Sequence, residues 1–285
     1  MVNRGQLRSL YSLCKLEFQA LAGMKSRGAE SKMIFVVGTG RSGTHFMDSI
    51  INSHPRATDL NDGKENPQVF GKVTLAAINN GPLSPRTIRN YRLLKRVAGG
   101  LDLVDQSHPN LWHVEQLLDN FPNAKFVAMI RCPYSVAYST LKHKAVPGWL
   151  KNYKDYPVPN QFLGINHENI NEYAHYGLAG KSTIRWLAHV KRICEIKKRY
   201  NDSVFVMNYE DLCVNPKNKL EELRVFLGYE ENFEAPKVNL ESLEKKNHLL
   251  DEDKNEIGRI LEMHSDECFD LLSDGVVKAL NFKTM

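Results

Sequence analysis

The chain is poor in cysteine and has no long apolar run. Its five cysteines, Cys14, Cys132, Cys194, Cys213 and Cys268, stand far apart and form no C-x-x-C pair. An odd, scattered set argues against a disulfide framework or a structural zinc site, and fits a reducing compartment. The most apolar N-terminal stretch, Leu10 to Ala22, is broken by Lys15, Glu17 and Gln19. It is too short to span a bilayer and lacks the pattern of a secretory leader. A short helical extension over residues 1–30, no membrane contact and a cytoplasmic location are therefore expected. No internal repeat or low-complexity tract is present, which excludes a repeat architecture. Charge of one sign is scarce too. The net charge of +5 is too mild for the dense basic face that nucleic acid demands, though it suits anionic ligands.

What is present is ordinary globular material: 42% hydrophobic and 25% charged residues over 285 positions, enough to bury a substantial core. Apolar runs at Met33–Val37, Leu101–Val104, Lys125–Ile130 and Val204–Met207 read as buried parallel strands, with a weaker run at Ala57–Leu60. Helical patterns lie between them. Phe46, Met47, Ile50 and Ile51 form one apolar stripe, and Leu111 to Leu118 a second. Ile184, Leu187, Val190 and Ile193 recur along a long helix ending near Tyr200. Asn215-Pro216 opens a helix with Leu220, Leu223, Phe226 and Leu227 on one face, and Gly228 closes it. The alternation predicts an α/β fold: one domain with a central parallel β-sheet flanked by helices, and ligands at the strands' carboxyl ends. The stretch 144–180 is rich in Asn, Pro, Gly and aromatics and is too long for a routine connection. It reads either as a lid or substrate-binding segment or as a structured surface excursion.

The first strand runs into Gly38-Thr39-Gly40-Arg41-Ser42-Gly43-Thr44-His45, and a helix follows. Such a turn aims backbone N–H groups and a helix N-terminus at an anion. Gly38 and Gly43 have the G-x-x-x-x-G spacing of a nucleotide phosphate loop, but Thr44 stands where that motif needs lysine. The cation lies inside the loop instead, as Arg41. A second constellation is Phe126-Val127-Ala128-Met129-Ile130-Arg131-Cys132-Pro133, with Ser139 eight residues after Arg131. It delivers Arg131 to the same sheet edge, where a guanidinium can bind two phosphate oxygens at once.

Together these segments resemble the sulfotransferases that use 3′-phosphoadenosine-5′-phosphosulfate (PAPS) and release 3′-phosphoadenosine 5′-phosphate (PAP). The resemblance also takes in Phe121-Pro122-Asn123-Ala124-Lys125-Phe126, Tyr209-Glu210-Asp211-Leu212, Asn215-Pro216 and Phe226-Leu227-Gly228, and runs from about Met33 to Gly228. It implies a phosphate-loop-like sulfotransferase fold over 31–285 and sulfuryl transfer without a metal. Gly40, Arg41, Ser42, Gly43, Thr44 and His45 would hold the 5′-phosphosulfate, and Arg131 and Ser139 the 3′-phosphate. The acceptor would be a hydroxyl or amine on a small molecule or carbohydrate, with no nucleic acid or membrane partner.

In-line attack by the acceptor requires a general base. His108, in Ser107-His108-Pro109 after the third strand, matches the histidine of the cytosolic branch. Glu65, in Lys64-Glu65-Asn66-Pro67, matches the glutamate that carbohydrate enzymes use. His108 is the favoured base and Arg41 the residue that stabilises the leaving phosphate. One departure is Gln106, where the family usually has a lysine near the sulfuryl group; Lys64, Lys142 and His45 are the replacement cations considered. Another is Cys132, read as a small buried residue. The rival readings are a phosphate-loop kinase or NTPase, with Glu210 and Asp211 as metal carboxylates, and a non-catalytic nucleotide-binding module. Arg86, Arg89, Arg92 and Arg96 read as a solvated helix face, Glu241–Glu256 as an exposed helix and linker, and His167, His175 and His189 as no metal set.

Overall fold

The structure is a computed structural model that describes residues 31–61 and 63–264. The extension expected over 1–30, together with Cys14 and Cys268, lies outside the described residues. Each apolar run becomes a strand: β1 (Met33–Gly38), β2 (Ala57–Thr58), β3 (Asp102–Asp105), β4 (Lys125–Ile130) and β5 (Val204–Asn208). They form one all-parallel sheet in the order β2-β3-β1-β4-β5, with Phe35 opposite both Asp105 and Phe126 and Met129 opposite Met207.

The runs are continuously apolar because both faces of the sheet are covered. Side chains alternate within them. Met33, Phe35, Val37, Phe126 and Ala128 face one core, while Ile34, Val36, Val127, Met129 and Met207 face the other. Phe35 stacks on Phe126 at 5.2 Å between ring centres and meets Tyr91 edge-on at 5.4 Å.

The helices are α1 (Thr44–Asn52), α2 (Phe70–Ile78), α3 (Pro85–Val97), α4 (Val114–Asn120), α5 (Pro133–Leu141), α6 (Val146–Lys151), α7 (Ile170–His175), α8 (Leu178–Arg199), α9 (Tyr209–Val214), α10 (Pro216–Leu227) and α11 (Asp251–Met263). Tyr91 of α3 and Trp186, Val190 and Ile193 of α8 fill the first core. Met47, Ile50 and Ile51 of α1 and Leu220, Leu223 and Leu227 of α10 fill the second. Because β1 lies between β3 and β4, the strand order reverses around it, which opens a crevice at the carboxyl ends.

Several expectations are corrected. The helix read at Leu111 starts earlier, as a 3-10 turn over His108–His113 that α4 continues. Asn215 makes no side-chain cap bond; Pro216, fixed in φ at the first helical position, opens α10, and Gly228 ends it at φ 66° as expected. The 144–180 stretch, read as a lid or substrate-binding segment or as a surface excursion, packs as a substructure that fits either reading. Leu150, Tyr153, Phe162 and Tyr173 are buried with Ile184 of α8, and Trp149 packs on Phe162 at 5.6 Å. The Glu241–Glu256 stretch is not simply an exposed linker. A 3-10 turn over Leu240–His248 packs on α5 and buries Ser242 before α11 begins. Among the described residues no helix is long and apolar enough to cross a membrane.

Candidate active site

The turn between β1 and α1 is built to leave donors free. Gly43 precedes α1 with no side-chain cap, and the first turn of α1 carries no acidic residue. The uncapped N–H groups and the positive end of the helix dipole therefore face the loop. Arg41 is held at φ 80°, a left-handed conformation that costs a non-glycine residue roughly 1–2 kcal/mol. Strain of this kind collects at ligand-binding loops. Gly43 has φ 93°, and a Cβ there would lie 2.4 Å from Cδ2 of Tyr209. Ser42 is fully buried, and neither its Oγ nor Arg41 Nε has a hydrogen-bond partner.

Arg131 leaves the end of β4 beside that loop. Its guanidinium lies 4.1 Å over the Tyr209 ring, Nη1 donates to Arg41 O at 3.5 Å, and Nη2 donates to Ser242 O. Its Nε is buried without a partner. Trp186 Nε1 donates to Arg131 O at 2.9 Å, and Tyr209 OH shares a 2.6 Å bond with Ser242 Oγ. The 240–248 turn thus lies across Arg131 and brings in Lys245. Burial lowers the Lys245 pKa, and the nearby positive charges of Arg131 and Arg41 add to the shift. Arg41 is lowered by burial and then by Arg131, with Glu65 opposing. Three cations converge here. Ser139 is buried in α5 behind Arg131 in sequence. Cys132 is buried, as expected, and its N–H is held by Glu210 Oε1 at 3.0 Å, so the Glu210 carboxylate ties the ends of β4 and β5 together.

The other half of the site comes from the turn after β3. Asp105 is buried and accepts from Tyr91 OH (2.9 Å), Ser107 Oγ (3.0 Å) and Asn110 Nδ2 (2.8 Å). This network holds the turn that carries Gln106 and His108. Burial raises the Asp105 pKa to about 6 against these bonds. His108 Nε2 lies so close to the glycine loop that a Cβ on Gly40 would come within 2.9 Å of it. Burial holds the His108 pKa well below the usual histidine value, and Arg185 lowers it further. The imidazole is therefore neutral at neutral pH. Glu65 is brought to the same place: its Oε1 lies 3.2 Å from His45 Nε2, and its charge acts on Arg41. Both candidate bases are thus at the loop.

The sulfotransferase domain family matches residues 31–256, well over half of the chain. The chain belongs to the sulfotransferase domain family. Among solved structures, the sulfotransferase STF9 from Mycobacterium avium superposes with a TM-score of 0.53 at 11% identity, covering 90% of this chain and 81% of that one. The sulfotransferase domain of the Synechococcus PCC 7002 olefin synthase gives 0.48 at 14%, covering 84% and 98%. A mouse sulfotransferase, SULT7A1 complexed with PAP, gives 0.41 at 18%, covering 80% and 66%. At these identities the M. avium likeness speaks to the fold. Among curated proteins none matches the chain.

Within this sulfotransferase the replacement cations considered for Gln106 are occupied elsewhere or exposed. His45 pairs with Glu65, Lys142 lies 5.8 Å over the Tyr138 ring, and Lys64 is exposed. Gln106 itself donates from Nε2 to Gly63 O at 2.8 Å and pins the loop that carries Glu65. Sequence reasoning missed three neighbours of the loop: Tyr209 under the Arg131 guanidinium, Lys245 near Arg131 and Arg41, and Arg185 beside His108. Arg185 carried no signal: one position after Ile184, it points away from the Ile184, Leu187, Val190 and Ile193 stripe, where a charged residue reads as solvated. A cleft of ≈ 250 Å³ lined by Ala77, Trp112, His113 and Gln161 does not include the loop residues.

Proposed function

We propose that the protein transfers a sulfuryl group from PAPS to a hydroxyl or amine of a small-molecule or carbohydrate acceptor. The observation that carries this reading is the set of buried, unpartnered donors at one sheet edge: Arg41 Nε, Ser42 Oγ and Arg131 Nε, beside an uncapped helix N-terminus. Buried polar groups without partners are rare, and these fit an oxyanion-rich ligand. Gly40 to Thr44 and His45 would hold the phosphosulfate end. Arg131, with Ser139 and Lys245, would hold the second phosphate. The donor supplies the sulfuryl group and a phosphate leaving group.

Arg41 neutralises charge that grows on the departing phosphate, an electrostatic role needing no proton transfer. His108, neutral and facing the loop, takes the proton from the acceptor, with Glu65 as the alternative base. Tyr209 keeps the Arg131 guanidinium flat and desolvated, so less freedom is lost when an anion binds. A kinase or NTPase reading lacks the lysine after Gly43, where Thr44 stands. Nucleotide binding without transfer is the second reading, favoured by the neutral Gln106 side chain bound to Gly63 O.

Thermal shift with PAP against Mg·ATP tests the donor: PAP should stabilise the chain more than Mg·ATP. PAP release from PAPS over acceptor pools tests transfer. Arg41→Ala should abolish release, while Arg131→Ala should weaken PAP binding at least tenfold, the scale of a charge-assisted hydrogen bond. Unchanged turnover in Arg41→Ala would sink the mechanism. PAP binding with no release over any acceptor pool would support the second reading.

A further inference from the structure

Arg185 is the least explained charge in the molecule. It is 1% exposed, at the middle of the site-facing side of α8, and it forms no ion pair with a carboxylate among the described residues. Its guanidinium stacks 4.7 Å from the Phe162 ring centre. Nη2 lies 3.5 Å from His108 Nε2, and Nε is buried with no partner. Facing it are Tyr173, whose buried OH also has no partner, and His189, whose ring donates to the Arg185 carbonyl at 2.7 Å and accepts from Trp112 at 3.4 Å. His108 and His189 both have their pKa values held well below the usual histidine value by burial, with Arg185 lowering them further, so neither adds a charge of its own.

A buried guanidinium without a counter-ion is costly to desolvate, so such a group persists where a ligand supplies the anion. The donor's oxyanions have their own cations in Arg41, Arg131 and Lys245, which act on one another, whereas Arg185 does not figure among the charges acting on Arg41. Arg185 instead stands on the side of His108 that faces the packed 144–180 substructure. We infer that Arg185, with the Tyr173 hydroxyl, is an oxyanion subsite for the acceptor, so that the acceptor carries a carboxylate or similar anionic group close to its reacting hydroxyl. This rests on the sulfuryl-transfer reading for the meaning of "acceptor", but the subsite itself does not depend on the donor. It also has a consequence for the base. Arg185 Nη2 is the donor next to His108 Nε2. An oxyanion that takes that donor frees the Nε2 lone pair and favours its protonation, so binding the right acceptor readies the base.

The test uses the full chain and two probes of like shape, 4-hydroxybenzoate and 4-hydroxybenzamide, titrated by calorimetry with and without PAP. Wild type should bind the carboxylate at least about tenfold more tightly than the amide, the scale of a charge-assisted bond. That preference should vanish in Arg185→Gln and survive in part in Arg185→Lys, with PAP affinity changed less than twofold. Equal binding of the two probes by wild type overturns the inference without recourse to any variant. So does a preference that persists in Arg185→Gln. A fall in PAP affinity in Arg185→Gln as large as in Arg41→Ala would place the donor's oxyanion on Arg185 and also overturn it. If wild type binds no PAP while the carboxylate preference and its loss stand, the donor reading falls and the subsite is upheld.

Discussion

Replacing Gly40 with alanine places a methyl group 2.9 Å from His108 Nε2 and 3.3 Å from Cε1. Ordinary contacts begin near 3.5 Å, so the imidazole must move by about 0.6 Å or more. Gly40 has no positive φ, so the alanine backbone itself is unstrained and the ring is the sole obstacle named by the geometry. The ring has little room, with Arg185 Nη2 at 3.5 Å and the Phe70 ring centre at 6.2 Å. Overpacking of this kind costs ~1–3 kcal/mol, which in a chain of this size lowers Tm by roughly 2–12 °C. A base displaced by a large part of an ångström costs on the order of 100-fold in turnover. PAP affinity should hold, because Arg131 and Lys245 are untouched. The assay is PAP release from PAPS over an acceptor pool, with Tm by scanning fluorimetry and PAP affinity by calorimetry. A double-mutant cycle isolates the cause. In a His108→Ala background the obstructing ring is gone, and Gly40→Ala should be neutral or stabilising by up to ~1 kcal/mol. Equal destabilisation in both backgrounds would refute the placement of His108 against the loop.

Two more outcomes follow from buried acids and bases. If His108 is the base, kcat/KM should stay flat as pH falls from 7 to 6, because its folded pKa lies well below the usual histidine value and activity is lost only on protonation. An acid limb centred near 6.5 would contradict His108 as the buried base, and near-normal turnover in His108→Ala with a collapse in Glu65→Ala would transfer the role to Glu65. Asp48 is buried in α1, and burial together with the neighbouring carboxyls of Asp59 and Asp105 raises its pKa to about 8. The folded state therefore holds a proton that the unfolded chain releases above about pH 4. Its stabilising contribution is complete below that point and is lost as pH rises through 8, at up to about 1.4 kcal/mol per pH unit. Asp48→Asn should thus gain in Tm relative to wild type between pH 5 and pH 8; a difference that does not change with pH would contradict this.

Much of the fold was legible in short-range pattern. β1 and β4 appear as uninterrupted apolar runs because each is covered on both faces, and β4 matches its expected span of Lys125–Ile130. Proline and glycine marked Pro216 and Gly228 as the ends of α10. The 3-10 start at His108 was not legible, since its cause is the buried Asp105 network reached from Tyr91 and Asn110. Nor was the 240–248 turn, whose charged composition resembles a solvated surface. It is held against Arg131 and Tyr209 by Ser242, a single small residue contacting side chains far away in sequence.

By itself, then, the sequence determined the parallel sheet, the glycine turn with its internal Arg41, the delivery of Arg131 at the end of β4, and the positions of His108 and Glu65 after their strands. These are properties of strands, turns and helix starts, and local chemistry dictates them. Tertiary structure alone decided that Tyr209 lies under Arg131, that Lys245 comes near Arg131 and Arg41, and that Arg185 is buried against His108. Each depends on which faces of distant segments meet when the core closes, and the cost of desolvating a charge is settled only by what has been packed around it.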